Sequence, residues 1–378
     1  MKHFNTDTVA TRKIPIACPQ FRGNELKYVQ ECLETTWISS IGRFIPQFEH
    51  EFARFCDSNH AISANNGTSA LHLALLGMGV QPDDEILIPT LTFVATANAV
   101  KYCGARPILI DVEPRTMNID PERIEEKITP RTRGIIVVHL YGHPANMDPI
   151  LEIAKRRGLF VIEDAAEAHG ALYKGRKVGG LAEVGTFSFF GNKIMTTGEG
   201  GMVTVGNEDL RDRIRIFRGQ GMDPNRRYWF PQVGYNYRMT NIQAAIGLAQ
   251  LEQIDSHLAC YRQVAEWYRR YLEPFADFIA LPIEETWAHH VYWMFNVILR
   301  PKIRIERDQF MALLSEQGIE TRPVFYPMHV MPPFRDTQSS YPVADRLAQN
   351  GISLPTHVAL TEEDVSYIAD KFRSLCFL

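Results

Sequence analysis

The chain predicts an α/β fold, in which a mostly parallel sheet flanked by helices is followed by a smaller C-terminal α+β module. Three observations carry this. Between residues 85 and 205, short apolar β-rich runs alternate with segments of helical periodicity. The connections are long enough for βαβ units, which pair strands in parallel and cover both faces of the sheet. After residue 240 the alternation stops at a long proline-free segment, and strands beyond it are sparse.

Residues 22–35 place Leu26, Val29 and Leu33 at helical spacing. Residues 85–89 read as a buried strand, 92–102 as a helix, 107–112 as a strand and 121–128 as a helix. Residues 134–140 are a strand, 149–157 a helix and 159–163 a strand, with further strands at 185–190 and 202–205. Residues 241–272 read as a nearly continuous helix interrupted only by Gly247, a spine joining a large domain (1–255) to a small one (256–378). Strand 292–299, helix 308–317, strand 321–325 and helix 361–375 complete the small module. Thr361 and Asp364 fit a capping box at the start of the last helix.

The bulk numbers exclude several classes. With 45% apolar and 22% charged residues among 378, the chain is that of a globular protein. A formal charge of −4 offers no basic excess for nucleic acid, and the runs 155–157 and 226–227 are too short to change that. Six scattered cysteines without a CxxC pair read as reduced thiols, pointing to the cytoplasm. Residues 1–13 hold no apolar core of a leader, and no segment approaches the roughly 18 apolar residues of a membrane span.

Three segments carry chemistry. Lys193 follows a β-type run and precedes the cluster Gly198, Gly200 and Gly201. Such a setting holds an amine partly out of water, where a lowered pKa lets it condense with an aldehyde as a Schiff base. Asn65-Asn66-Gly67-Thr68-Ser69 opens a helical pattern at residues 70–76. Free N–H groups and the helix dipole make this a phosphate site, with Thr68 and Ser69 adding hydroxyls; the plainer reading is an N-cap in which Thr or Ser bonds its own helix. The third segment, from Val161 to Gly170, begins as a buried strand and ends in Glu163, Asp164 and Glu167. Ligands of open α/β sheets bind outside the carboxyl ends of strands. A carboxylate there can pair with a protonated ring nitrogen, or merely offset a helix dipole. An amine, an acid and a phosphate turn are together what pyridoxal phosphate requires. His139 with His143, and His289 with His290, lack converging partners, so no metal is expected.

From about Ile14 onward the chain resembles the sugar-nucleotide aminotransferases of the DegT/DnrJ/EryC1/StrS family, which are fold-type I pyridoxal phosphate enzymes. The resemblance implies that Lys193 carries the cofactor and Asp164 partners its pyridine nitrogen. It implies that Gly67, Thr68, Ser69 and Ser188 hold the phosphate and that Phe93 stacks on the ring. Glu167 stands where many members have glutamine near the cofactor's 3-oxygen. Asn236 looks like the residue that reaches the phosphate across a homodimer interface, making shared active sites. Some relatives carry histidine in place of the lysine and dehydrate the sugar; Lys193 favours amino transfer.

Residues 35–45, 219–230 and 322–329 carry a narrower likeness, to members acting on GDP-4-keto-6-deoxymannose with L-glutamate as donor, in the making of O-antigen. Phe325, Tyr326 and Trp229 are then candidates to pack on sugar or base, and Arg43, Arg226 and Arg227 to meet the diphosphate. Met328 and His329 are candidate sugar contacts. Core packing is the alternative for Trp229 and Phe325, and a structural role for His329. A dTDP- or UDP-linked keto sugar is the competing substrate, and a pyridoxal phosphate-binding regulator without turnover the competing class.

Overall fold

A computed structural model describes residues 12–377; residues 1–11, part of the segment read above for a leader, lie outside the described residues. One seven-stranded sheet dominates. Its strands are β1 (His60–Ala64), β2 (Glu85–Pro89), β3 (Arg106–Ile110), β4 (Thr132–Val138), β5 (Phe160–Asp164), β6 (Val184–Ser188) and β7 (Gly201–Val205). They lie in the order β1-β7-β6-β5-β4-β2-β3. The pairs from β3 across to β6 are parallel, while β7 runs antiparallel to both β6 and β1. Every residue of β2, β6 and β7 is buried, which is why they read as apolar runs and not as alternating ones. The carboxyl ends of β2, β4, β5 and β6 deliver the loops that start at Thr90, His139, Ala165 and Phe189. Those four loops build most of the site.

Where the elements depart from expectation, the causes are local. Residues 121–128 form two short 3-10 turns, Pro121–Arg123 and Glu125–Lys127. Only Ile124 of that stretch is fully buried, so no apolar face exists to hold a longer helix. The expected long helix is two, Asn241–Leu251 and Ile254–Leu272. The break is not at Gly247, where a side chain would collide with Phe48, its Cβ lying 2.6 Å from Phe48 Cε1. It falls at Glu252 and Gln253, where Glu252 accepts from Asn24 Nδ2 and Tyr28 Oη, each at 2.7 Å. Of the strand expected at 321–325, only Arg322–Pro323 pairs, against Gly351–Leu354. Helices Phe44–Phe55, Glu208–Arg218 and Pro342–Asn350 and strand β1 had no counterpart in the sequence reading.

A second sheet, antiparallel throughout, joins Ile279–Ala280, Phe295–Leu299, Gly351–Leu354 and Arg322–Pro323. Its core gathers Tyr268, Phe295, Phe310 and Phe372. Helix Ile254–Leu272 gives Ile254 and Tyr261 to the first core, and Val264, Ala265, Tyr268 and Leu272 to the second. The last helix starts at the expected capping box, Asp364 N–H donating to Thr361 Oγ1 at 3.2 Å and Thr361 N–H to Asp364 Oδ2 at 3.1 Å. The first described segment is tied to this region. Ile14 N–H donates to the Gly318 carbonyl at 2.8 Å, Glu320 N–H to the Ile14 carbonyl at 3.0 Å, and Ile16 N–H to Glu320 Oε2 at 3.1 Å. No described helix is long and apolar enough to cross a membrane.

Candidate active site

Lys193 sits in the tight loop after β6, closed by Lys193 N–H on the Phe190 carbonyl and Thr197 N–H on the Phe189 carbonyl, both at 2.9 Å. Its side chain is 11% exposed, and Nζ lies 3.5 Å from Glu167 Oε1. On another side the ring of Trp293 faces it, with Nζ 3.7 Å from the ring centroid. Glu167 is held in turn, its Oε2 accepting from Tyr141 N–H at 2.8 Å. Asp164, the last residue of β5, accepts from Thr96 Oγ1 at 2.8 Å and from Ala166 N–H at 3.3 Å.

Burial pushes the Lys193 amine below its ordinary range, against the pull of Glu167 and Asp164. The same burial raises the Asp164 and Glu167 carboxyls, and the Lys193 charge opposes it. Two buried carboxylates therefore face one amine. A protonated ring nitrogen beside Asp164 would balance the charge, so this donor set fits pyridoxal phosphate.

The phosphate turn is built by close approach. A Cβ on Gly67 would lie 2.7 Å from Ser188 Cβ, so the turn rests on the end of β6. The helix it opens is capped by Asn66, whose Oδ1 accepts from Ser69 N–H at 2.8 Å. The cap is thus neither Thr68 nor Ser69, and among the described residues neither hydroxyl is spent on a hydrogen bond within the chain. Gly67→Ala is expected to cost about 1–3 kcal/mol through overpacking, measured as a lower urea midpoint with unchanged slope.

Phe93 is exposed at the mouth, its ring 5.8 Å from Phe325. Phe325 stacks on Tyr141 at 5.1 Å, and Tyr141 on Trp293 at 6.1 Å. A row of rings thus leads from the surface to Lys193.

Other expected contacts lie elsewhere. Arg43 forms an ion pair with Glu31 of helix Glu25–Glu34 and sits over the Phe44 ring, 4.1 Å from its centroid. Arg226 lies 4.2 Å over Trp229, and Arg227 4.9 Å over Tyr228, on an exposed loop. Asn236 is exposed and bridges to Gly219. Among the described residues no hydrogen bond links that loop or Asn236 to Lys193, Asp164 or Glu167. Tyr326 is half exposed, with Arg307 donating to its hydroxyl at 3.3 Å.

Met328 and His329, the expected sugar contacts, are both held within the chain. Met328 is fully buried. His329 has Nδ1 2.8 Å from Thr90 Oγ1, Nε2 3.0 Å from Asp345 Oδ1, and its ring stacked on Tyr341 at 4.3 Å. One nitrogen holds the Thr90 loop and the other helix Pro342–Asn350. His139 is likewise occupied, by Glu163 and by Ala145 N–H, each at 3.0 Å. Among the described residues no three His, Cys, Asp or Glu side chains gather as metal ligands.

Thr96, Tyr141 and Trp293 are the site residues that sequence reasoning missed. Each reaches the site from a different stretch of chain, and no local pattern marks it.

The fold and this site define an aminotransferase. The chain belongs to the DegT/DnrJ/EryC1/StrS aminotransferase family, whose sequence model matches residues 19–373. It is 54% identical to a GDP-perosamine synthase of Caulobacter vibrioides over 94% of this chain and 96% of the relative. Identity to a GDP-perosamine synthase of Escherichia coli O157:H7 is 47%, over 94% of this chain and 97% of the relative. Among solved structures, DesV of S. venezuelae in complex with a ketimine intermediate superposes with a TM-score of 0.88 at 34% identity, over 93% of this chain and 94% of that one. DesI in the presence of its TDP-sugar product superposes at 0.91 with 29% identity, covering 97% and 94%.

Proposed function

We propose that this aminotransferase moves the amino group of L-glutamate to C4 of GDP-4-keto-6-deoxy-D-mannose, giving GDP-perosamine, with pyridoxal phosphate as cofactor. The observation that carries the chemistry is one buried amine, Lys193, within 3.5 Å of Glu167, in a cluster anchored by Asp164. The nucleotide and sugar follow from the likeness to the two GDP-perosamine synthases, which spans nearly the whole chain.

When bound, pyridoxal phosphate supplies the carbonyl that takes up the amino group and the ring that accepts the electrons of a deprotonated carbon. The chain's own residues do the rest. Lys193, its pKa depressed by burial, would take up a proton from the reacting carbon at Nζ and hold it for return on the far side of the imine nitrogen. Glu167 orients that amine and is kept in place by the Tyr141 amide. Asp164, steadied by Thr96 and Ala166, offers its carboxylate to the ring nitrogen. Gly67, Thr68, Ser69 and Ser188 hold the phosphate, and Phe93 covers the ring. Asn236, Arg226, Arg227 and Trp229 serve the site of the other subunit in a homodimer. Their exposure, and their lack of bonds to Lys193 in their own chain, support that placement.

The test is turnover on a panel. Purified protein is given L-glutamate with GDP-, dTDP- or UDP-linked 4-keto-6-deoxy sugars, and 2-oxoglutarate and amino sugar are read by mass spectrometry. The GDP sugar is expected to lead by about 100-fold in kcat/KM. Equal or better turnover of a dTDP sugar would overturn the nucleotide assignment. Silence with every sugar would overturn glutamate-driven transfer and favour a regulator.

A further inference from the structure

The Lys193 amine is held on two sides, by a carboxylate and by an uncharged ring. Glu167 Oε1 is 3.5 Å from Nζ. The Trp293 face is 3.7 Å away at its centroid, well inside the reach of a cation over an indole, the best of the aromatic faces for this purpose. The indole is itself fixed. Its Nε1–H donates to the Asn192 carbonyl at 2.7 Å, one residue before the lysine. Its plane lies 17° from that of Tyr141, and Trp293 is 4% exposed. Tyr141 has a left-handed backbone, φ 55°, and its N–H holds Glu167. One turn therefore orients both groups that face the amine.

We propose that Trp293 is a positioning residue, seating the Lys193 amine beside Glu167 whenever that amine is not bonded to the cofactor. The proposal rests on the reading that Lys193 carries the cofactor. A lysine has four rotatable side-chain bonds, and a released amine could settle in many places. The ring face and the carboxylate together narrow them to one, from which a proton can be handed on without a search. Because the ring attracts the ammonium form and not the neutral amine, it also acts against the burial of the site. The other groups facing the amine are Glu167 and Asp164 from the segment closing β5, Arg322 from the second sheet, and His169. Replacing Trp293 leaves every one of those charges in place.

The experiment uses protein freed of cofactor, labelled with an acylating reagent across a pH series, with Lys193 modification read by mass spectrometry. Trp293→Leu is expected to lower the Lys193 midpoint by about one unit, and Trp293→Phe by less. In the loaded enzyme Trp293→Leu is expected to lose about tenfold in kcat with the sugar KM unchanged. A Trp293→Leu midpoint equal to that of the parent overturns the proposal, as does a raised KM with unchanged kcat. Should Trp293→Leu not fold, Trp293→Phe decides: a lower midpoint supports the proposal and an unmoved one overturns it. Failure of the underlying reading looks different. No borohydride-stable adduct then forms on Lys193 with pyridoxal phosphate, whatever the midpoint, and the proposal falls with it.

Discussion

Lys193→Ala is expected to abolish amino transfer, with 2-oxoglutarate release falling by at least about 10³-fold. Loss of a positioned acid–base group alone accounts for roughly 10²–10⁴, and the same change removes the covalent anchor of the cofactor. The fold should survive, because truncation takes away a buried amine whose desolvation opposes folding. Three readings check this together: 2-oxoglutarate release, borohydride trapping of cofactor on the protein, and the urea midpoint. A variant that still traps cofactor on another lysine and still turns over would sink the assignment.

Glu163→Ala should do the reverse, leaving the chemistry its residues but taking away stability. Glu163 is fully buried. Its Oε1 accepts from Leu181 and Ala182 N–H, each at 2.8 Å, and its Oε2 from Gly179 N–H at 2.7 Å, with His139 Nε2 3.0 Å away. Alanine leaves three amides and an imidazole without a partner in the core. The expected loss is about 3–5 kcal/mol, seen as a lower urea midpoint with unchanged slope. Glu163→Gln keeps one acceptor oxygen and is expected to lose less. A loss below about 1 kcal/mol for alanine would show that the loop 179–182 finds other acceptors.

These two variants also mark how far the sequence could be read. Glu163 and Asp164 are neighbours on β5, so their side chains point to opposite faces of the sheet. From the sequence both were acids at a strand end. Only the sheet order shows that one faces the 179–182 loop and the other the Thr96 hydroxyl. The strands themselves were legible because burial on both faces leaves them as unbroken apolar runs, as in Ile86–Ile88 and Val161–Ile162.

Other features were legible but passed over. Phe44, Phe48 and Phe52 recur at helical spacing in a segment that also holds Pro46, and that helix packs on β1. The break at Glu252 and Gln253 has no glycine or proline to announce it; its partners, Asn24 and Tyr28, lie more than 220 residues away in sequence. The lysine and acid of the site were visible because their chemistry is tied to motif and strand end. Trp293 was not, since an indole in an apolar strand reads as core until the lysine beneath it is seen. The bonding of His329 was hidden for a related reason: its partners, Thr90 and Asp345, are both tertiary.

The pairing of Ile14 with residues 318–320 sets an order of events during synthesis. Residue 14 leaves the ribosome about 300 residues ahead of the segment it pairs with. At roughly 5–20 residues per second, that is a wait on the order of 15–60 s. The large sheet has all its strands by residue 205 and can assemble while the chain is still being made. Ile14, buried in the second core of the finished protein, has no partner for its backbone N–H and carbonyl until Gly318 and Glu320 emerge. The first of the described segments to be made is therefore among the last to find its place.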